Sequence, residues 1–152
     1  LISAPLLFKR DHDPFATGSA RYVESRLELT GVEARILLHL SVEPIPRPVL
    51  AVVDTAAPWC IFEPEVGNIL RQRFSPVQGG VVLNTRLGIL KGSLYRIPVA
   101  LPADEGQSLE AEATVFLSPD WRGPNFIGYQ GLLQRIRFAV DPEENLFYFG
   151  RI

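Results

Sequence analysis

The sequence predicts an all-β domain, a barrel or a sandwich, and three observations predict it. Thirteen prolines and twelve glycines fall at short intervals along the 152 residues, which interrupts any long helix. The stretches between them are short and rich in β-branched and aromatic residues, the composition that suits a pleated, half-buried surface. Several stretches alternate apolar and polar residues with a period of two, residues 109–117 among them. The length fits one domain with an ordinary core.

Taken in order, residues 21–29 read as a first strand, Gly31 as a turn and residues 34–42 as a second strand. Glu43-Pro44-Ile45-Pro46-Arg47-Pro48 is a stiff connection, because its prolines fix φ and remove donors that a helix or central strand needs. Residues 49–53 form a third strand. Pro58 biases Ala57 toward extended backbone, so residues 59–62 leave the intervening loop as another strand. Residues 65–71 suit a helical turn or two with Pro64 near the start. Residues 81–86, 89–91, 93–101 and 109–117 follow as short strands, with a polar hairpin loop at 102–107. Residues 130–135 are expected to form one short C-terminal helix. Residues 138–141 and 146–149 make a closing hairpin around Pro142-Glu143-Glu144-Asn145. Residues 1–20 lack periodicity and read as an N-terminal arm, partly disordered unless tied down, ahead of a domain over residues 21–152.

Composition narrows the function. Apolar residues make up 47% and charged residues 21%, with a net charge of −2, and the arginines are scattered, so no nucleic-acid partner is expected. The apolar runs are far shorter than the roughly 20 residues of a membrane span. Leu1-Ile2-Ser3-Ala4-Pro5-Leu6-Leu7-Phe8 is broken by Pro5 and lacks a basic start, so neither an anchor nor an export signal is expected and a cytoplasmic location is the simplest reading. The lone Cys60 cannot form an internal disulfide and reads as a buried small hydrophobe. Two histidines and one cysteine give no basis for a zinc site, and no metal or organic cofactor is implied. His39, in an alternating apolar strand, reads as a core or interface histidine. Asp120 and Asp141 read as turn formers, and no Gly-x-Ser-x-Gly elbow is present.

Asp54 stands apart. It ends the apolar run Leu50-Ala51-Val52-Val53 and precedes the small residues Thr55-Ala56-Ala57, which presents a carboxylate from a buried strand into a tight loop. A carboxylate in such surroundings costs several kcal/mol unless hydrogen-bonded, paired or protonated, so chemistry is the better reason for it. The alternative is an ordinary Asx turn after a strand.

Val52-Val53-Asp54-Thr55-Ala56-Ala57 resembles the signature of two apolar residues, Asp, Thr or Ser, Gly and Ala found in retropepsin-like aspartic proteases. Asn125-Phe126-Ile127-Gly128, followed by Leu132 and Leu133, resembles their second signature, and the likeness runs over residues 36–149. The resemblance implies a closed barrel of the acid-protease fold in which Ile127 and Gly128 pack beneath the catalytic loop. It implies a homodimer acting on extended peptide or protein substrates, with Asp54 as the catalytic residue. Two carboxylates sharing one proton are required, and one chain supplies one, so Asp54 has to meet its twin across a two-fold axis. Thr55 would lock the two loops across that axis. The family has Gly where this chain has Ala56, which still offers an N–H but adds a Cβ and disfavours positive φ. A catalytically impaired binding or scaffold module is therefore the alternative, and a monomeric ligand-binding β-barrel a more distant one. Ala57 lacks the hydroxyl that would donate to a catalytic carboxylate, so an active enzyme should have a less acidic optimum than a version bearing Ser or Thr there. By its place between the two motifs, the hairpin over residues 84–93 is the candidate substrate flap, with Leu87, Gly88, Ile89 and Leu90 as substrate-binding residues and Gly88 or Gly92 at the tip.

Overall fold

The computed structural model describes residues 4–26, 34–86 and 88–152. The strands are β1 (Leu7–Phe8), β2 (Pro14–Ala16), β3 (Gly18–Arg21), β4 (Val23–Arg26), β5 (Ala34–Val42), β6 (Val49–Asp54), β7 (Cys60–Ile61), β8 (Gln78–Thr85), β9 (Gly88–Leu101), β10 (Glu105–Gly106), β11 (Leu109–Leu117), β12 (Asn125–Gly128), β13 (Ile136–Asp141) and β14 (Leu146–Arg151). One α-helix, α1 (Pro64–Arg73), lies between β7 and β8.

The large sheet has the order β4-β5-β6-β12-β7-β11-β9-β8, and β5 also pairs with β9 through Ser41↔Ala100 and Val42↔Val99. That pairing joins β5, β6, β12, β7, β11 and β9 in a ring. The residues that fill it follow from alternation: β9 buries Ile97, Val99 and Leu101 and exposes Arg96 and Pro98. Residues 113–117 of β11 are buried on both faces. Val115 and Leu117 enter the main core, whereas Phe116 enters a second cluster with Ile61, Leu83, Leu90, Leu94 and Trp121. A further sheet, β10-β3-β14-β13, contributes Phe147 and Phe149, both fully buried, to the main core.

Three expectations need correction. The expected N-terminal arm is in part a strand, since β3 pairs with β14 through Ala20↔Phe147 and Gly18↔Phe149. Tertiary pairing orders a segment whose own pattern is weak. The expected short C-terminal helix is a single 3-10 turn, Leu133–Arg135, because Ile136 returns at once to extended backbone and starts β13. The α-helix is instead α1. Pro64 at its first turn has a pre-set φ, Glu65 and the pair Arg71 and Arg73 complement its dipole, and Val66 and Leu70 bury one face. Finally, Gly92 lies inside the continuous strand β9 and is not a tip. A Cβ there would meet the Leu117 carbonyl oxygen at 2.4 Å, so glycine marks a close approach of backbones. Gly31 and residues 27–29 of the expected first strand lie outside the described residues.

Candidate active site

β6 is a strand of the ring, paired with β5 on one side and β12 on the other, and it ends at Asp54. Beside it β12 runs parallel, in the register Phe126↔Val52, Ile127↔Val53 and Gly128↔Asp54. The other edge of β12 pairs antiparallel with β7 at Phe126↔Ile61. One short strand is thus threaded between the two strands that flank the loop at residues 55–59, and the loop must pass over its end. Glycine makes this possible. A Cβ on Gly128 would stand 2.2 Å from the Trp59 carbonyl oxygen and 2.9 Å from that of Ala57. Beyond it, Tyr129 N–H donates to the Ala57 carbonyl at 2.7 Å and Gly131 N–H to that of Pro58 at 2.9 Å. A Cβ on Gly131 would meet the Cys60 nitrogen at 2.5 Å, so that position is equally tight. The structure therefore brings Asp54, Thr55, Ala56, Ala57, Ile127 and Gly128 into one hydrogen-bonded unit.

Within it the Asp54 side chain is half-buried and its Oδ1 accepts the Ala56 N–H at 2.9 Å. The Ala57 N–H closes the turn on the Asp54 carbonyl at 3.2 Å. Among the described residues, positive φ at a non-glycine occurs only at His12 and Asn145, so Ala56 offers this N–H from an ordinary backbone conformation. Thr55 and Ala56 are exposed. Among the described residues Asp54 Oδ2 accepts no hydrogen bond, so the Ala56 N–H fixes one carboxylate oxygen and not the other.

Three supporting residues escape a reading of the sequence. Asn125, 4% exposed, accepts the Glu63 N–H at Oδ1 (2.9 Å) and donates from Nδ2 to the Leu50 carbonyl (3.2 Å). It ties the strand that carries Asp54 to the start of α1. Arg135 donates from Nη1 to the Glu112 carbonyl at 3.0 Å and from Nη2 to the buried Thr114 hydroxyl at 2.6 Å. Thr114 N–H in turn donates to the Gly131 carbonyl at 2.9 Å, so the pair pins the second motif to β11. The only available signal was an amide opening an apolar strand, since a buried polar side chain persists where it is bonded. Cys60 sits beneath the same turn, fully buried; burial pushes its thiol up to about 11, with the Gly128 backbone and the Arg135 charge pulling the other way.

The hairpin of β8 and β9 closes at Thr85↔Gly88, where Thr85 Oγ1 donates to the Gly88 carbonyl at 2.8 Å and Gly88 takes φ 118°. Leu87 lies outside the described residues. Ile89 is 69% and Val82 57% exposed, whereas Leu90 is 8% exposed and packs in the second cluster with Leu83. Leu90 is therefore a core-facing residue, the opposite face from Ile89, as strand alternation demands. Trp59 and Phe126 pack against that cluster, so the base of the hairpin and the turn around Asp54 share one apolar support. His39 is exposed on β5 and not a core residue. Asp11 and Asp13 pair with Lys9 at 3.7 and 3.4 Å, and no group of three metal-ligating side chains gathers among the described residues. No helix among them is long and apolar enough to cross a membrane.

Compared by sequence, the chain matches no protein-family model and no curated protein. Solved structures do match. A retropepsin-like aspartic protease from Rickettsia conorii superposes with a TM-score of 0.55 at 15% identity, over 86% of this chain and 98% of that one. The retroviral protease-like domain of Ddi1 from Leishmania major gives 0.49 at 16% identity, over 78% and 94%. The ring of strands, the strand threaded beneath the Asp54 turn and the first of these superpositions agree: this chain has the fold of the retropepsin-like aspartic proteases.

Proposed function

We propose that the chain is an aspartic endopeptidase that works as a homodimer, activating a water molecule between the Asp54 carboxylates of two copies. The observation that carries this reading is the Asp54 turn itself. A carboxylate ends a strand that is paired on both sides, one of its oxygens is fixed by the Ala56 N–H, and exposed Thr55 and Ala56 adjoin it. A second copy placed symmetrically on that exposed turn supplies the second carboxylate. Two carboxylates about 3 Å apart hold one proton between them, so one carboxylate accepts a proton from water while the other donates to the scissile carbonyl oxygen. The oxygen of water adds to the carbonyl carbon. Collapse of the tetrahedral intermediate then breaks the C–N bond: the proton taken from water passes to the departing amine, and one hydroxyl of the intermediate returns its proton to the carboxylate that had donated, which restores the starting pair. Thr55 would lock the two turns across the axis.

The β8–β9 hairpin is proposed as the flap, covering an extended peptide by strand-like hydrogen bonds. Exposed Ile89 and Val82 favour substrates with apolar side chains beside the scissile bond. Ala56 retains the hydrogen bond expected of the glycine it replaces, which supports an active site over an impaired scaffold. Purified protein should cut an unstructured protein substrate, a pepstatin-like inhibitor should block the cleavage, and Asp54→Asn should abolish it without unfolding the chain. A stable dimer without turnover from acid to neutral pH would overturn the proposal.

A further inference from the structure

Outside the Asp54 turn, a cleft of about 380 Å³ lies between the first turns of α1 and the end of β11. Phe62, Pro64 and Gly67 form one wall and Leu117 and Pro119 another, and the charged side chains at its rim are Arg71 and Arg122. No carboxylate lines it, although acidic residues outnumber basic ones in the chain. Both guanidiniums are held by neutral groups. Arg71 Nη2 donates to Asn68 Oδ1, and Arg122 Nη1 donates to the carbonyls of Pro119 (2.7 Å) and Trp121 (3.1 Å). Among the described residues neither arginine lies within 4.0 Å of a carboxylate oxygen. A guanidinium has five N–H donors in a rigid fork, so each arginine is oriented on one edge and keeps donors for something else. Two like charges at one cleft repel until an anion sits between them, and planar forks suit carboxylate and phosphate oxygens.

We propose that this cleft is an anion site, taking a single carboxylate or phosphate group between Arg71 and Arg122. It is independent of the Asp54 chemistry. Its position gives occupancy a structural consequence, because Ser118 Oγ, at the cleft, donates to the Lys91 carbonyl at 2.7 Å in the hairpin strand β9. An anion there would bridge α1 to the segment that holds the hairpin's foot.

The test is titration of the full chain with inorganic phosphate and, separately, with N-acetylglutamate, at constant ionic strength maintained with chloride, read by calorimetry and by Tm. One saturable site per chain is expected for at least one probe, with the preferred probe telling phosphate from carboxylate chemistry. Arg71→Gln and Arg122→Gln should each weaken binding by about tenfold or more, Arg→Lys at either position should weaken it less, and Asp54→Asn should leave it unchanged. Responses to both probes that follow ionic strength alone would overturn the proposal, as would binding that survives both glutamine substitutions. If Arg71→Gln perturbs α1, the exposed Arg122→Gln decides.

Discussion

Replacing Asn125 with alanine tests whether a buried amide organises the ground beneath Asp54. The side chain makes two hydrogen bonds, to the Glu63 N–H and the Leu50 carbonyl, at a residue 4% exposed. Each is worth about 1 kcal/mol net, and each main-chain partner left unsatisfied in a buried site costs about 1–3 kcal/mol. Water entering the small void would recover part of this, so the expected loss is about 2–5 kcal/mol. For a chain of this size that is a fall in Tm of roughly 4–20 °C. The assay is urea unfolding of parent and variant at one protomer concentration, because a dimer's apparent stability depends on concentration. Asn125→Asp keeps an acceptor for Glu63 but sets a carboxylate against the Leu50 carbonyl, so it should be at least as damaging at neutral pH. It should recover partly in acid, where the protonated acid can donate. A loss below about 0.5 kcal/mol for Asn125→Ala, the level typical of surface changes, would refute the view that Asn125 clamps β6 to α1.

Other predictions follow from the same geometry. Gly128→Ala places a methyl 2.2 Å from the Trp59 carbonyl oxygen, so it should displace the 55–59 turn and either prevent folding or remove activity in a protein still folded by circular dichroism. Ala56→Gly should leave kcat/KM within a few-fold, since the N–H to Asp54 Oδ1 is already present; a hundredfold gain would show that the Ala56 Cβ impairs the site. Phe116→Ala should cost about 3–5 kcal/mol in urea unfolding, as for other fully buried phenylalanines. Burial raises the Cys60 thiol from its ordinary 9.0 to about 11, so the unfolded chain releases this proton first as pH rises. The stability involved is intact below pH 9 and lost as pH climbs through 11, by about 3 kcal/mol, and Cys60→Ala should flatten the decline over that window.

Much of the fold was legible because alternation and punctuation agree. Residues 34–42 and 109–117 alternate over part of their length between turn residues, and their strands have the expected ends. The closing hairpin is bounded by its own turn residues, Pro142 to Asn145, the last at φ 54°. What escaped was decided by distant partners. Gly92 looks like a turn until the Leu117 backbone is seen against it, and Gly18 to Arg21 becomes a strand only because β14 lies alongside. At the candidate site, Asp54 and Gly128 were legible as members of spaced motifs, and the register places them side by side. Leu90, expected beside Ile89 at the substrate, packs in a second apolar cluster that no local pattern announces, because it is assembled from five separate segments. Asn125 and Arg135 do their work through hydrogen bonds to main-chain atoms far along the chain, which no local pattern encodes.

The most direct test is a structure of the chain's assembly in which the two Asp54 side chains are located. The account predicts a two-fold dimer with those carboxylates facing one another about 3 Å apart, and Thr55 of each copy at the axis. A monomer at working concentrations, or a dimer joined elsewhere with the carboxylates turned apart, would contradict it.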